Sequence, residues 1–211
     1  MSDNVSSADN QQGSLRQLAD DPSETTRRAP FFKEIIKAYF LGALHDGTFS
    51  LNKRFRISQK GTEWLKFLKE ILQKIGYNSW IYKEGKNRDV YVLETLANFL
   101  DFKFNPEKFK RIEEKISYMK GFFDSEGGIP KDNNARFYIQ LVQKDKEKLK
   151  QIKKILKDIN IETGKIHNPS YKVDPNYWRI YILANSQKLF IKKIGSWHPR
   201  KIRTLEKRMV I

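Results

Sequence analysis

Two acidic residues, Asp46 and Glu126, each stand at the end of an apolar helical stretch and directly before a glycine, in "AYFLGALHDG" and "SYMKGFFDSEG". A carboxylate in that place faces the negative end of the helix macrodipole and costs a few tenths of a kcal/mol. Two readings are open: a solvated helix end closed by glycine, or a place where a cation removes the cost. Composition narrows the second. The chain has no cysteine, and its three histidines, His45, His167 and His198, lie scattered without ligand spacing. Any metal would therefore be a hard cation held by oxygen.

The partner is bounded by charge. Across 211 residues, 41 Lys and Arg face 25 Asp and Glu, for a formal charge of +16, which points to a polyanion. The longest apolar run, around Ala38 to Leu44, is too short to span a bilayer, so nucleic acid is favoured over membrane. Without cysteines or a signal peptide, the expected location is intracellular (cytoplasm, nucleoid or organelle) and not secreted. At 39% hydrophobic and 13% aromatic the chain can bury a real core.

The elements that position the two carboxylates come in duplicate. Residues 1–30 are rich in Ser, Asp, Asn and Gln and read as a tail without its own core. From Phe31 a helical pattern runs to Asp46 and Gly47, and a second runs to Glu126 and Gly127. Further along, "ISQKGTEWLKFLKEILQKIG" (57–76) lies over "LVQKDKEKLKQIKKILKDIN" (141–160) without a gap at an offset of 84. Gln59, Lys60, Glu63, Leu65, Lys66, Lys69, Ile71, Leu72 and Ile75 recur identically in it. Each copy predicts an amphipathic helix, apolar at Leu65, Leu68, Leu72 and Ile75 or at Leu149, Ile152, Leu156 and Ile159. A hairpin follows each, "SWIYK" with "RDVYVLE" and "TGKIH" with "YWRIYIL". A short helix then leads to "FNPEKFKRI" (104–112) or "WHPRKIRTL" (197–205), which places Lys108 and Lys201 alike after a proline. The chain reads as two αββαββα repeats, 31–112 and 113–211.

This pattern resembles the LAGLIDADG homing endonucleases over about residues 34–211, most clearly in the nine residues from Met119 to Gly127. The first motif is a residue shorter between glycine and carboxylate: aligned from the carboxylate, Leu41 falls at the glycine position and Leu44 opposite Asp124. The resemblance implies an α+β fold of two pseudo-symmetric repeats. Their antiparallel sheets form a DNA-binding saddle, and the motif helices pack at the centre through Gly42, Ala43, Gly121 and Ser125. It brings Asp46 and Glu126 together as ligands of Mg²⁺, with Mn²⁺ as substitute and Ca²⁺ supporting binding alone. It places Gln59 and Gln143 near the attacking water, and Lys108 and Lys201 as charge neutralisers at the phosphate. The implied function is site-specific, metal-dependent hydrolysis of both DNA strands across the minor groove, by an intron-encoded, monomeric enzyme on a long duplex target. An intron RNA maturase and a non-cleaving DNA-binding protein are the alternatives.

Strand alternation gives the expected DNA face. With Phe55 and Ile57, and Phe137, Ile139 and Leu141, turned to the helices, Arg54, Arg56, Ser58, Arg136, Tyr138 and Gln140 face outward, joined by Tyr177, Arg179 and Tyr181 from the second hairpin. Arginine and glutamine are the side chains that read guanine and adenine in a major groove.

Overall fold

The computed structural model describes residues 22–50, 53–132 and 134–208, with the side chains of residues 22–29 and of Asp46 outside that description. The expected tail therefore lies outside it as far as residue 21, while residues 22–30 are helical. The chain divides into a unit ending at Glu34 and a compact unit, Ile35–Ile211, that holds both repeats.

In the first repeat, α1 (Pro22–Ala43) tightens into a 3₁₀ turn (Leu44–Asp46) and runs directly into β1 (Gly47–Phe49). There follow β2 (Phe55–Lys60), α2 (Glu63–Lys74), β3 (Ser79–Lys83) and β4 (Val90–Thr95). The second repeat has α3 (Ile112–Glu126), β5 (Gly127–Gly128), β6 (Gln140–Gln143), α4 (Lys146–Asp158), β7 (Trp178–Tyr181), α5 (Ala184–Lys193) and α6 (Pro199–Arg208). Two antiparallel sheets result, ordered β1-β2-β4-β3 and β5-β6-β7.

The duplicated amphipathic helices appear as read: Leu65, Leu68, Leu72 and Ile75 are buried in one repeat and Leu149, Ile152, Leu156 and Ile159 in the other. Both stop by the same device. Gly76 and Asn160 take left-handed backbone, at φ 87° and 63°, and the next amides, of Tyr77 and Ile161, reach back to the carbonyls of Leu72 and Leu156.

Two expected elements are reduced. The strand at "TGKIH" survives only as isolated bridges, Thr163 to Ile182 and His167 to Arg179. The helix expected after β4 is replaced by turns in which Leu100 N–H bonds Ala97 O and Phe104 N–H bonds Asp101 O, both at 3.2 Å. Chain length explains this: eight residues lead from Asn98 to Pro106 where fourteen lead from Asn185 to Pro199, too few for a helix and its exits. After the prolines the copies also diverge, to a 3₁₀ turn at Pro106–Lys108 and to the full α6.

Contacts between the repeats are reciprocal. The segment before Pro199 reaches the first repeat, where Trp197 packs on Tyr39 with ring centroids 4.6 Å apart and His198 stacks on Trp64 at 5.0 Å. Arg203 adds a bidentate pair to Glu63 at 2.8 and 3.0 Å. The segment before α3 answers from the other side, with Phe109 against Tyr118 at 5.7 Å and Lys154 bonded to Glu107 at 3.0 Å.

Candidate active site and nucleic-acid face

The centre of the molecule is set by two glycines. A Cβ on Gly42 would lie 2.0 Å from Tyr118 O, and one on Gly121 would lie 1.9 Å from Tyr39 O, so α1 and α3 meet backbone to backbone at equivalent residues. The register is therefore Gly42 with Gly121 and Tyr39 with Tyr118. His45, not Leu44, is the counterpart of Asp124, which corrects the alignment made from the carboxylate.

That register leaves Asp46 four residues past its glycine and Glu126 five past its own. The 3₁₀ turn absorbs the difference. One α residue at about 1.5 Å and three 3₁₀ residues at about 2.0 Å advance roughly as far along the axis as five α residues. Both acidic positions thus reach a similar level past the glycine contact, where the chain enters a sheet in each repeat. The glycines that follow are not left-handed caps: Gly47 and Gly127 are extended, at φ −87° and −80°. They serve close approach, since a Cβ on Gly127 would meet Phe123 Cδ2 at 2.1 Å and one on Gly47 would meet Leu44 O at 2.8 Å.

The cation demanded by the end of α3 is partly supplied from within. Lys201 is 4% exposed and donates to the carbonyls of Phe123 and Asp124, the latter at 2.9 Å, beneath the Phe123 ring. This caps the negative helix end. Lys108, in contrast, lies exposed on its 3₁₀ turn. The two lysines do not share an environment, and the ammonium of Lys201 is turned to carbonyls inside the protein rather than outward to a phosphate.

Asp124 is fully buried and accepts from Tyr39 OH at 2.7 Å, Trp197 N–H at 2.9 Å and Ser196 Oγ. Burial raises its pKa, opposed by Lys201 and these donors. At the pseudo-symmetric place, Tyr118 OH lies 2.6 Å from His45 Nε2, and His45 Nδ1 is 3.1 Å from Gln143 Nε2. Burial holds the His45 pKa down at about 3, with the Lys148 charge adding to the effect, so the ring is neutral. Sequence reading missed His45, although its place beside the carboxylate was a signal. Of the paired glutamines, Gln143 ends β6 in contact with this network, while Gln59 lies in β2 opposite Tyr91.

Among the described residues no group of three or more His, Cys, Asp or Glu converges on one point. A carboxylate at each of the two motif ends is the kind of oxygen donor that a hard divalent cation takes.

The expected outward face of the first sheet has Arg54, Arg56 and Ser58 on it, but two of these are engaged. Glu94, 7% exposed and opposite Arg56 in the register, pairs with Arg54 at 3.1 Å and Arg56 at 3.3 Å and accepts from Tyr82 OH at 2.7 Å. Arg56 also pairs with Glu84 at 2.6 Å. The arginines are held in place by acids that the alternation alone did not single out. In the second sheet, Ile139, Leu141, Ile180 and Ile182 are buried while Tyr138, Gln140, Arg179 and Tyr181 lie on the opposite side, half-buried. Arg179 stands over the Tyr181 ring at 5.2 Å and donates to His167 at 3.3 Å. Tyr177 is half-buried just before β7, and Arg136 is exposed before β6 begins.

Comparison places this architecture. A family description, LAGLIDADG-like domain, matches twice, over residues 33–111 and 113–195. The chain belongs to the LAGLIDADG family and carries two of its repeats. Among solved structures, it resembles I-DmoI in complex with DNA and Mn at 19% identity and a TM-score of 0.58, covering 77% of this chain and 97% of that one. Mesophilic variants of the homing endonuclease I-DmoI match at 18% identity and a TM-score of 0.63, over 83% of this chain and 98% of that one. Full-length DUF199/WhiA from Thermatoga maritima matches at 21% identity and a TM-score of 0.60, over 85% of this chain and 62% of that one. No curated protein sequence matches the chain significantly. No helix among the described residues is long and apolar enough to cross a membrane.

Proposed function

We propose that the protein is a monomeric, intracellular, intron-encoded endonuclease that cuts both strands of a long, specific duplex DNA site in a metal-dependent reaction. The observation that carries this reading is the backbone approach of α1 and α3 at Gly42 and Gly121, past which each repeat brings the chain to an acidic residue, Asp46 at the end of the 3₁₀ turn and Glu126 at the end of α3. A protein that only bound DNA would gain nothing from two carboxylates delivered to a phosphate.

Asp46 and Glu126 would hold Mg²⁺, or Mn²⁺ in its place. The bound cation supplies charge neutralisation at the phosphate and lowers the pKa of water. The chain's own part is positional. The α1–α3 contact sets where the two motif ends stand, Arg136, Tyr138, Gln140, Arg179, Tyr181 and the acid-held Arg54 and Arg56 would line up the duplex, and the net charge of +16 would gather it. Ca²⁺ would support the complex without turnover.

The test needs the target, which is the rejoined DNA flanking the intron or intein that holds the reading frame. Incubated with it in Mg²⁺, the wild type should cut both strands. Glu126→Gln and Asp46→Asn should each abolish cutting while duplex affinity is kept or raised, since negative charge near phosphate is removed. Near wild-type cutting by either variant would refute the two-carboxylate site. Tight binding without cutting by the wild type would favour a non-cleaving DNA-binding protein, and preference for the intron transcript would favour an RNA maturase.

A further inference from the structure

The two halves of the centre are not alike. Tyr118 bonds His45 across the pseudo-twofold axis as Tyr39 bonds Asp124, at 2.6 and 2.7 Å. What lies behind each acceptor differs. Asp124 is tied to Ser196 and to the Trp197 amide, both from the C-terminal segment. His45 is tied to Gln143, at the end of the central strand of the second sheet.

Hydrogen-bond accounting fixes how that glutamine is held. Gln143 Oε1 accepts from the Lys144 amide at 2.7 Å and lies 3.4 Å from the Asp145 amide, so Nε2 is the group that meets His45. An amide nitrogen donates only, so Nδ1 of His45 is the acceptor, and the ring proton sits on Nε2, where it donates to Tyr118 OH. The ring is fixed further by Phe122, edge to face at 4.8 Å. With its oxygen committed to main-chain amides, Gln143 keeps one amide hydrogen to offer, a donor suited to a phosphate oxygen or a water.

We propose that His45 is a positioning residue that aims the Gln143 amide, and that it does so for the hydrolysis of one DNA strand and not the other. The proposal rests on the endonuclease reading above. The acceptor at Nδ1 holds the amide and Tyr118 holds the ring, while among the described residues Asp124 makes no corresponding link to Gln59, so the two strands are handled by unequal machinery.

The experiment is single-turnover cleavage of the target duplex in Mg²⁺ with each strand labelled separately. His45→Leu removes the acceptor and should slow one strand about tenfold or more, the scale of losing an orienting outer-shell partner. The other strand should change little, so that nicked duplex accumulates. His45→Asn returns an acceptor near the Nδ1 position and should restore the slowed strand. Tyr118→Phe keeps the ring packing and covers the case that His45→Leu does not fold; it should slow the same strand. Equal slowing of both strands, no slowing, or an Asn variant as poor as Leu would overturn the proposal while leaving the endonuclease reading intact. A wild type that cuts neither strand would overturn both.

Discussion

At Lys201 a buried ammonium stands where the sequence allowed a phosphate-facing one. It is held by main-chain carbonyls of α3 and lies near the buried Asp124. Removing one member of such an arrangement leaves the other uncompensated, which costs about 3 kcal/mol or more. Lys201→Met should lower stability by that amount in urea unfolding yet leave the salt dependence of DNA binding unchanged, whereas a lysine on a phosphate would reduce the slope by about 0.9. His198 gives a pH signature. Burial, with Lys201 and Arg200 nearby, lowers its pKa from 6.5 to about 3, as burial does for His45. Between those values the unfolded chain binds protons that the native protein does not, so stability present above pH 6.5 is lost as pH falls. Two such groups make the slope at most about 2.7 kcal/mol per pH unit. His198→Phe, which keeps an aromatic ring against Trp64, should flatten this acid limb by roughly half in melting temperatures taken from pH 6.5 to 3.5.

The paired helices are the element whose geometry decides most. Their approach at Gly42 and Gly121 leaves no space for a methyl, and the atoms it would strike are backbone, which cannot rotate away. Gly121→Ala should therefore cost about 3 kcal/mol, the upper range of overpacking, seen as a fall in melting temperature. Cleavage should fall at temperatures where the variant is still folded, because the ends of α1 and α3 separate. Undiminished stability would mean that the helices do not meet at these residues. The 3₁₀ turn Leu44–Asp46 belongs to the same geometry, restoring the rise that a missing residue removed.

For the molecule as a whole, one chain supplies both repeats, both sheets and one acidic residue from each motif. The reciprocal packing of Trp197 on Tyr39 and Phe109 on Tyr118 already closes the centre on both sides. One protein chain should accordingly bind one duplex. Sedimentation of the DNA complex checks this, and two chains per duplex would mean that the repeats do not complete the site.

Local periodicity made much of this legible in the sequence. The helical spacing of Leu65, Leu68 and Leu72 and the strand alternation around Ile139 and Leu141 lie within short windows and correspond to buried faces in the fold, and the match at an offset of 84 residues shows the helix pattern twice. The helix-end carboxylates and the charge of +16 were equally plain there. What the sequence left undecided were pairings across long separations. Glu94 meets Arg54 across 40 residues, Lys201 meets Phe123 across 78, and Gln143 meets His45 across 98. Apart from the place of His45 beside Asp46, nothing in a window around these residues distinguishes a solvated side chain from one held by a distant partner. Backbone contact at the two glycines set the register that a one-residue deletion had blurred, and with it which residues face each other across the centre.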